Sequence, residues 1–197
     1  MRKYKYIIGI DEVGRGPIAG PVAVCALSLQ NKFNSKKFVG FKDSKKLSHS
    51  QRLKWLSKID EEREKGNIIY KVSFESNKVI DKKGIVFAIK RSLASSLKYM
   101  GKNSKDCQIL LDGGLRAPEE YKNQKTIIKG DEKELAIALA SIVAKVTRDT
   151  LMVKLAKKYP DYDIEKHKGY GTKGHYIAIK NKGISPIHRK SFLKQIV

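Results

Sequence analysis

Short runs rich in β-branched residues alternate along this chain with longer stretches in which apolar residues return every three or four positions. The first two runs, residues 4–10 and 21–29, predict strands joined by a glycine-rich turn, the pattern of an antiparallel hairpin with a wide loop. Residues 67–75 alternate enough for a third strand, residues 108–112 form a short apolar fourth, and residues 126–128 a brief fifth. Ser48 followed by Gln51 has the form of a capping box. It opens a helix whose Leu53, Leu56 and Ile59 share one face and which ends near Arg63, before Gly66. Ile85, Ile89, Leu93 and Leu97 mark a second helix, stopped by Gly101. A third is expected from Asp131. Its first half, Glu134 to Ser141, is almost wholly small and apolar, which predicts burial against the sheet. Pro160 stops what remains of it, and a short amphipathic helix lies near residues 176–182.

Without an internal repeat or a low-complexity linker, this order reads as one α/β domain over residues 1–197, with a core to about residue 159 and a small C-terminal helical extension beyond it. No apolar run approaches the ~20 residues that span a bilayer. The first residues lead directly into the first strand and its carboxylates, so a cleaved leader is not expected, and a cytoplasmic location is. Cys25 and Cys107 stand in apolar contexts without a CxxC spacing and read as reduced core residues. His167 and His175 lack a ligand partner at short helical spacing and read as structural or phosphate-facing.

Charge changes the picture. The formal net charge of +22 points to a polyanionic partner. The excess nearly vanishes over residues 101–150, with nine basic against eight acidic side chains. A basic protein with an acidic island suits a metal-dependent nuclease, because bound cations offset the carboxylates. Candidate ligands sit at two strand ends. Asp11 and Glu12 follow the first strand and lead into Gly14-Arg15-Gly16-Pro17, a turn that exposes backbone N–H groups and a guanidinium; Asp112 ends the fourth strand before two glycines. Neighbouring strands lie ~4.8 Å apart, so such carboxylates could share a cation. In a regular strand Asp11 and Glu12 point to opposite faces, so the glycine turn is expected to distort the backbone if both are ligands. Lys45 and Lys46, ahead of the first helix, could meet phosphate. The loop is neither a Walker A sequence nor a GxGxxG turn, which removes a nucleotide-cofactor reading.

Taken together, the motifs resemble those of the ribonuclease HII family. They are Asp11-Glu12-Val-Gly-Arg-Gly-Pro17, Asp43-Ser-Lys-Lys-Leu-Ser48, Leu111-Asp112-Gly113, Lys129-Gly130-Asp131, Ala140 to Asp149, His167-Lys-Gly-Tyr-Gly-Thr-Lys173 and Pro186-Ile-His-Arg189, which span nearly the whole chain. The resemblance implies a ribonuclease H-like fold, a central mixed sheet flanked by helices. It implies endonucleolytic cleavage of RNA in RNA–DNA hybrids and at single ribonucleotides in duplex DNA. It places divalent metal ions, Mg2+ or Mn2+, on Asp11, Glu12, Asp112 and Asp131. It gives Gly14, Arg15 and Gly16 contacts to the ribonucleotide and its phosphate, and Tyr170 a place on the following sugar. Val13 departs from the alanine usual in the family and adds bulk beside Glu12.

Two other readings stand beside this one: a basic nucleic-acid-binding protein without chemistry, and a related metal nuclease acting on DNA junctions. No protein partner is evident, and a monomer is expected. Asp131 and Asp149 lie in matching motifs at the two ends of what reads as one helix, 18 residues or roughly 27 Å apart at ~1.5 Å per residue, so only one can complete the metal site. Asp131 is expected there, and Asp149 in a structural charge network.

Overall fold

The computed structural model describes residues 4–40 and 47–194. A five-stranded mixed sheet runs through its centre in the order β3-β2-β1-β4-β5. The strands are Tyr6–Val13 (β1), Val22–Gln30 (β2), Ile68–Glu75 (β3), Cys107–Asp112 (β4) and Gln124–Ile127 (β5). β1, β2 and β3 form an antiparallel meander; β4 and β5 continue it in parallel. β2, buried along both faces until Gln30, is apolar throughout that stretch except at Ser28.

Two apolar layers cover the sheet. On one face Ile8, Ile10, Val22 and Val24 meet Ile89, Leu93 and Leu97 of the helix Ile85–Met100 (α3), which follows a short helix Asn77–Lys83 (α2). On the other, Cys25 and Leu27 meet Leu139, Ile142 and Val143 of Leu135–Ala156 (α5), together with Ile59 of His49–Glu64 (α1). α5 lies almost on the β1 backbone: a Cβ at Gly9 would run into the main chain of Ala136. That close approach carries the polar residues further along α5 over the carboxylate end of β1. A third apolar cluster joins Ile18 and Met152 to Ile164, Ile179 and Ile187, and packs the short helices Ile164–His167 (α6) and Lys173–Lys182 (α7) against the distal half of α5.

The capping box is present, with Ser48 Oγ accepting from Gln51 N–H and Gln51 Oε1 from Ser48 N–H. Both cysteines are buried and free. Among the described residues no helix is long and apolar enough to cross a membrane.

Three expectations change. β1 continues to Val13, so Asp11 and Glu12 sit within the ladder, opposite Cys25 and Val24, and do not follow its end. α2 was not expected: it buries only Ile80 and has too little apolar periodicity to show in the sequence. The third helix begins at Leu135, after a separate turn Gly130–Lys133 (α4) and an extended Glu134 (φ −126°, ψ 117°). Asp131 and Asp149 are therefore not on one helix, and the spacing argument between them does not hold.

Candidate active site

The β1–β4 ladder runs from Tyr6↔Cys107 to Ile10↔Leu111 and stops, whereas β1–β2 continues to Val13↔Ala23. The end of β1, from Asp11 to Val13, is thus paired on one side only. Asp11 and Asp112 fall at the next position of the parallel register, and a cavity of about 510 Å³ opens there. Its walls include Asp11, Glu12, Asp112, the turn Gly14–Gly16, Ser141, Lys145 and Tyr170. The single open flank admits both neighbouring carboxylates of β1 to the cavity without a distorted strand.

Asp11 is buried, and burial pushes its carboxyl up to about 8; a hydrogen bond from Ser141 opposes this, and the carboxylates of Glu12, Asp112 and Asp131 add to it. Burial likewise raises Glu12, against the pull of Arg15, whose guanidinium stands 3.6 Å away. Asp112 Oδ1 accepts from Gly130 N–H at 2.7 Å, which holds the Lys129–Asp131 turn against the end of β4. Asp131 is buried there, close enough to act on Asp11 but outside the cavity lining. As the side chains stand, no group of three or more His, Cys, Asp or Glu among the described residues forms a ready cation cage. The donor set nonetheless fits a hard divalent cation: carboxylate oxygens, with Asp11 raised by burial and by the carboxylates around it.

The loops that wall the cavity are held from behind by two fully buried arginines. Arg148 donates Nε–H to the Pro21 carbonyl (2.9 Å), Nη1–H to Lys168 (3.0 Å) and Nη2–H to Ala19 (3.3 Å). Arg189 donates to the carbonyls of Gly20 (2.9 Å), Arg15 (3.0 Å) and Gly14 (2.6 Å). Gly14 has φ +89°, and a Cβ there would strike the Arg148 guanidinium, so glycine is required on both counts. Burial lowers both arginines from their ordinary value, Arg189 to about 9. Tyr170 is 41% exposed at the cavity wall, with Lys145 Nζ 5.8 Å from its ring centroid.

Asp11, Glu12, Asp112, Gly14, Arg15, Gly16 and Tyr170 are thus brought to one cavity, with Asp131 adjoining it. Lys45 and Lys46 lie outside the described residues. Sequence reasoning assigned no role to Ser141, Lys145 or Arg52, which also line the cavity. Ser141 was legible as the first hydroxyl in an otherwise apolar helix half, and Lys145 stands one turn further along the same face. Arg148 and Arg189 carried no such signal, because their partners are carbonyls.

A five-stranded mixed sheet with carboxylates gathered at the ends of its central strands, in a strongly basic chain, defines a hydrolytic nuclease of the ribonuclease H-like fold. The family model of ribonuclease HII matches residues 8–195. A ribonuclease HII of Fusobacterium nucleatum is 46% identical over 99% of this chain and 89% of its own length. Among solved structures, ribonuclease H2 of Pyrococcus horikoshii superposes with a TM-score of 0.72 at 25% identity, covering 97% of this chain and 96% of that one. The ribonuclease HII of Archaeoglobus fulgidus, solved in complex with PCNA, gives 0.73 at 25% identity over 93% of each chain. The chain belongs to the ribonuclease HII family, and is an endoribonuclease acting on RNA–DNA hybrids.

Proposed function

We propose that the enzyme cleaves at single ribonucleotides embedded in duplex DNA as well as within hybrid tracts, leaving 3′-hydroxyl and 5′-phosphate ends. In this reading Asp11, Glu12, Asp112 and Asp131 hold two divalent cations, Mg2+ or Mn2+. The supporting observation is the buried carboxyl of Asp11, forced to about 8 by desolvation and three neighbouring carboxylates, in the wall of a cavity that also presents Arg15 and Tyr170. When bound, the cations supply an activated water and stabilise charge on the leaving oxygen.

The remaining work falls to the chain itself. Ser141 keeps Asp11 oriented, and the Gly130 N–H fixes Asp112 by one of its two oxygens, leaving the other for a ligand. Arg15, exposed beside Glu12, meets the scissile phosphate together with the backbone of Gly14 and Gly16, in a turn that Arg189 holds by the carbonyls of Gly14 and Arg15. Tyr170 packs on the sugar that follows the ribonucleotide. The 2′-hydroxyl is what separates a ribonucleotide from its DNA neighbours, and an aromatic face beside a backbone turn can register it.

The test uses a labelled duplex with one ribonucleotide, a long hybrid and an all-DNA control, with each metal in turn. Cleavage of the first two and not the third is expected. Tyr170→Ala should lower kcat/KM at the single ribonucleotide about ten-fold more than on the hybrid, on the scale of one lost aromatic stack. Equal losses would remove Tyr170 as a junction reader, and failure to cut the single-ribonucleotide duplex would remove the wider claim.

A further inference from the structure

The C-terminal segment Ser185–Arg189 touches both substrate-facing elements without lining the cavity. Through Arg189 it grips the Gly14 and Arg15 carbonyls, and Arg189 N–H donates to Ile18 at 2.7 Å. Through the preceding residue it reaches Tyr170. His188 Nε2 lies 3.0 Å from His175 Nε2, and His175 Nδ1 lies 2.9 Å from the Tyr170 carbonyl. Both rings are buried, with no more than 1% exposure.

These contacts fix every proton. A carbonyl only accepts, so His175 Nδ1 carries hydrogen and donates to Tyr170. At the other end Ser185 N–H donates to His188 Nδ1 at 2.9 Å, so that nitrogen is bare; the Ser185 hydroxyl, 2.7 Å away, can turn its hydrogen to the same nitrogen, and the carbonyl of Ser185 is further off, at 3.3 Å. His188 must then hold its hydrogen on Nε2 and donate it to the bare Nε2 of His175. One chain of donors results, running from Ser185 through His188 and His175 to Tyr170, with both imidazoles neutral. An added proton on His175 Nε2 would face the hydrogen on His188. Moving the latter to Nδ1 would set it against Ser185 N–H.

The surroundings favour neutrality. His167 stacks on His175 with ring centroids 4.1 Å apart. Its Nε2 faces the Tyr162 carbonyl (2.8 Å) and its Nδ1 accepts from Gly169 N–H (3.2 Å). The Tyr162 ring stands edge-on, 4.9 Å from His188. The Arg189 guanidinium is turned to its three carbonyls, and Arg148 to its own. The carboxylate that borders this segment, Asp81, accepts from the N–H groups of Lys190 and Ser191. Burial holds both rings below the ordinary histidine value, His175 at about 4.

We propose that His175 and His188 are positioning residues: as a neutral pair sharing one hydrogen, they hold Tyr170 in register with the Gly14–Gly16 turn and thereby set the enzyme's discrimination for single ribonucleotides. This rests on the reading of Tyr170 as a substrate contact. The two rings touch no substrate; they act through the Tyr170 carbonyl, while Arg189, adjacent to His188, holds the other half of the register.

Two measurements decide it. Nitrogen NMR of the histidine-labelled wild-type enzyme at pH 7.5 should show His175 protonated at Nδ1 and His188 at Nε2; the opposite tautomers, or a charged ring, overturn the proposal. The second measurement is the ratio of kcat/KM on the single-ribonucleotide duplex to that on the hybrid. His188→Asn can accept from Ser185 but is too short to reach His175, and should lower the ratio at least ten-fold. His188→Gln reaches His175 with a neutral N–H and should recover most of that loss. In a Tyr170→Ala background His188→Asn should lower the ratio no further; an additional fall there would show that it does not act through Tyr170. A ratio unmoved by Tyr170→Ala overturns the contact reading, whereas a ratio lowered by Tyr170→Ala and unmoved by His188→Asn overturns the positioning pair. Should His188→Asn fail to fold, the wild-type tautomers and His188→Gln still decide.

Discussion

Two regions of this molecule bury charge, and they do so in opposite ways. At the end of β1, Asp11 is buried beside Glu12, Asp112 and Asp131, and the result is a carboxyl pushed to about 8. Some 180 residues later along the chain, Arg189 is buried even more completely, and Arg148 with it, yet each guanidinium is met by three backbone carbonyls. Neutral dipoles satisfy a buried cation without demanding a counter-ion, and they draw three separate segments together. Like charges gathered in one place do the reverse and leave a deficit that something from outside must make good. The arginines therefore build structure, and the carboxylates build a site.

The largest effect expected from this contrast is at Asp11. Asp11→Asn should lower turnover on the order of a thousandfold, as for loss of a group that holds transition-state charge. In metal-free buffer it should also raise the melting temperature. The sign follows from linkage: the folded pKa lies above the unfolded value of 3.8, so the folded chain binds more protons between 3.8 and about 8 and loses stability as pH rises through that window. Asparagine does not titrate. The variant's advantage should be near zero at pH 4 and grow to on the order of 5 kcal/mol at pH 8. Adding Mg2+ or Mn2+ should close the gap by stabilising the wild type alone. A variant less stable than wild type at pH 8 without metal would show that the cluster is not strained by its own charge.

The arginine region should answer differently. Arg148→Met removes three charge-assisted hydrogen bonds and leaves the carbonyls of Pro21, Ala19 and Lys168 buried, a loss of about 3–5 kcal/mol. Lysine at 148 should not restore it, because an ammonium cannot fork to three separated carbonyls. Urea unfolding gives the stability, and a metal titration of residual activity should keep its midpoint. A shifted midpoint with little change in stability would erase the distinction between the two regions.

The same contrast explains what the sequence could and could not reveal. Carboxylates at strand ends, the glycine turn and the capping box are local patterns, and each was visible in a few adjacent residues. The sheet followed from the β-branched runs, although β1 passes through Asp11 and Glu12, because β2 remains its partner after β4 has ended. The break at Glu134 was hidden because Asp131 to Lys133 is a plausible first helical turn; the Gly130 N–H bonded to Asp112 holds that turn apart from α5. The clamps of Arg148 and Arg189 join residues 127 to 175 positions apart through carbonyls that every residue possesses, apart from the 20-residue link to Lys168. No residue type marks such a partner. His167 and His175 were read as structural or phosphate-facing; the structure places His175 inside, beside His188, whose part nothing in the sequence announced.

The smallest expected effect bears on the boundary between the two regions, at Asp149. Its Oδ1 accepts from Lys145 Nζ at 3.0 Å, one helical turn away, and Lys145 lines the cavity while Asp149 is buried behind it. Asp149 is therefore expected on the structural side, reaching the site through its partner. Asp149→Asn keeps an acceptor for Lys145 and loses the ion pair, a cost of about 1 kcal/mol or less for a pair whose lysine remains partly in solvent. The metal midpoint should not move. Asp131→Asn should do the opposite, shifting the metal titration while the melting temperature holds or rises, because Asp131 adds to the charge that strains Asp11. The two variants can be compared in one titration of activity against Mn2+, with melting curves on the same samples. If Asp149→Asn moves the midpoint and Asp131→Asn does not, the fourth ligand lies on α5, and Asp149 is part of the site.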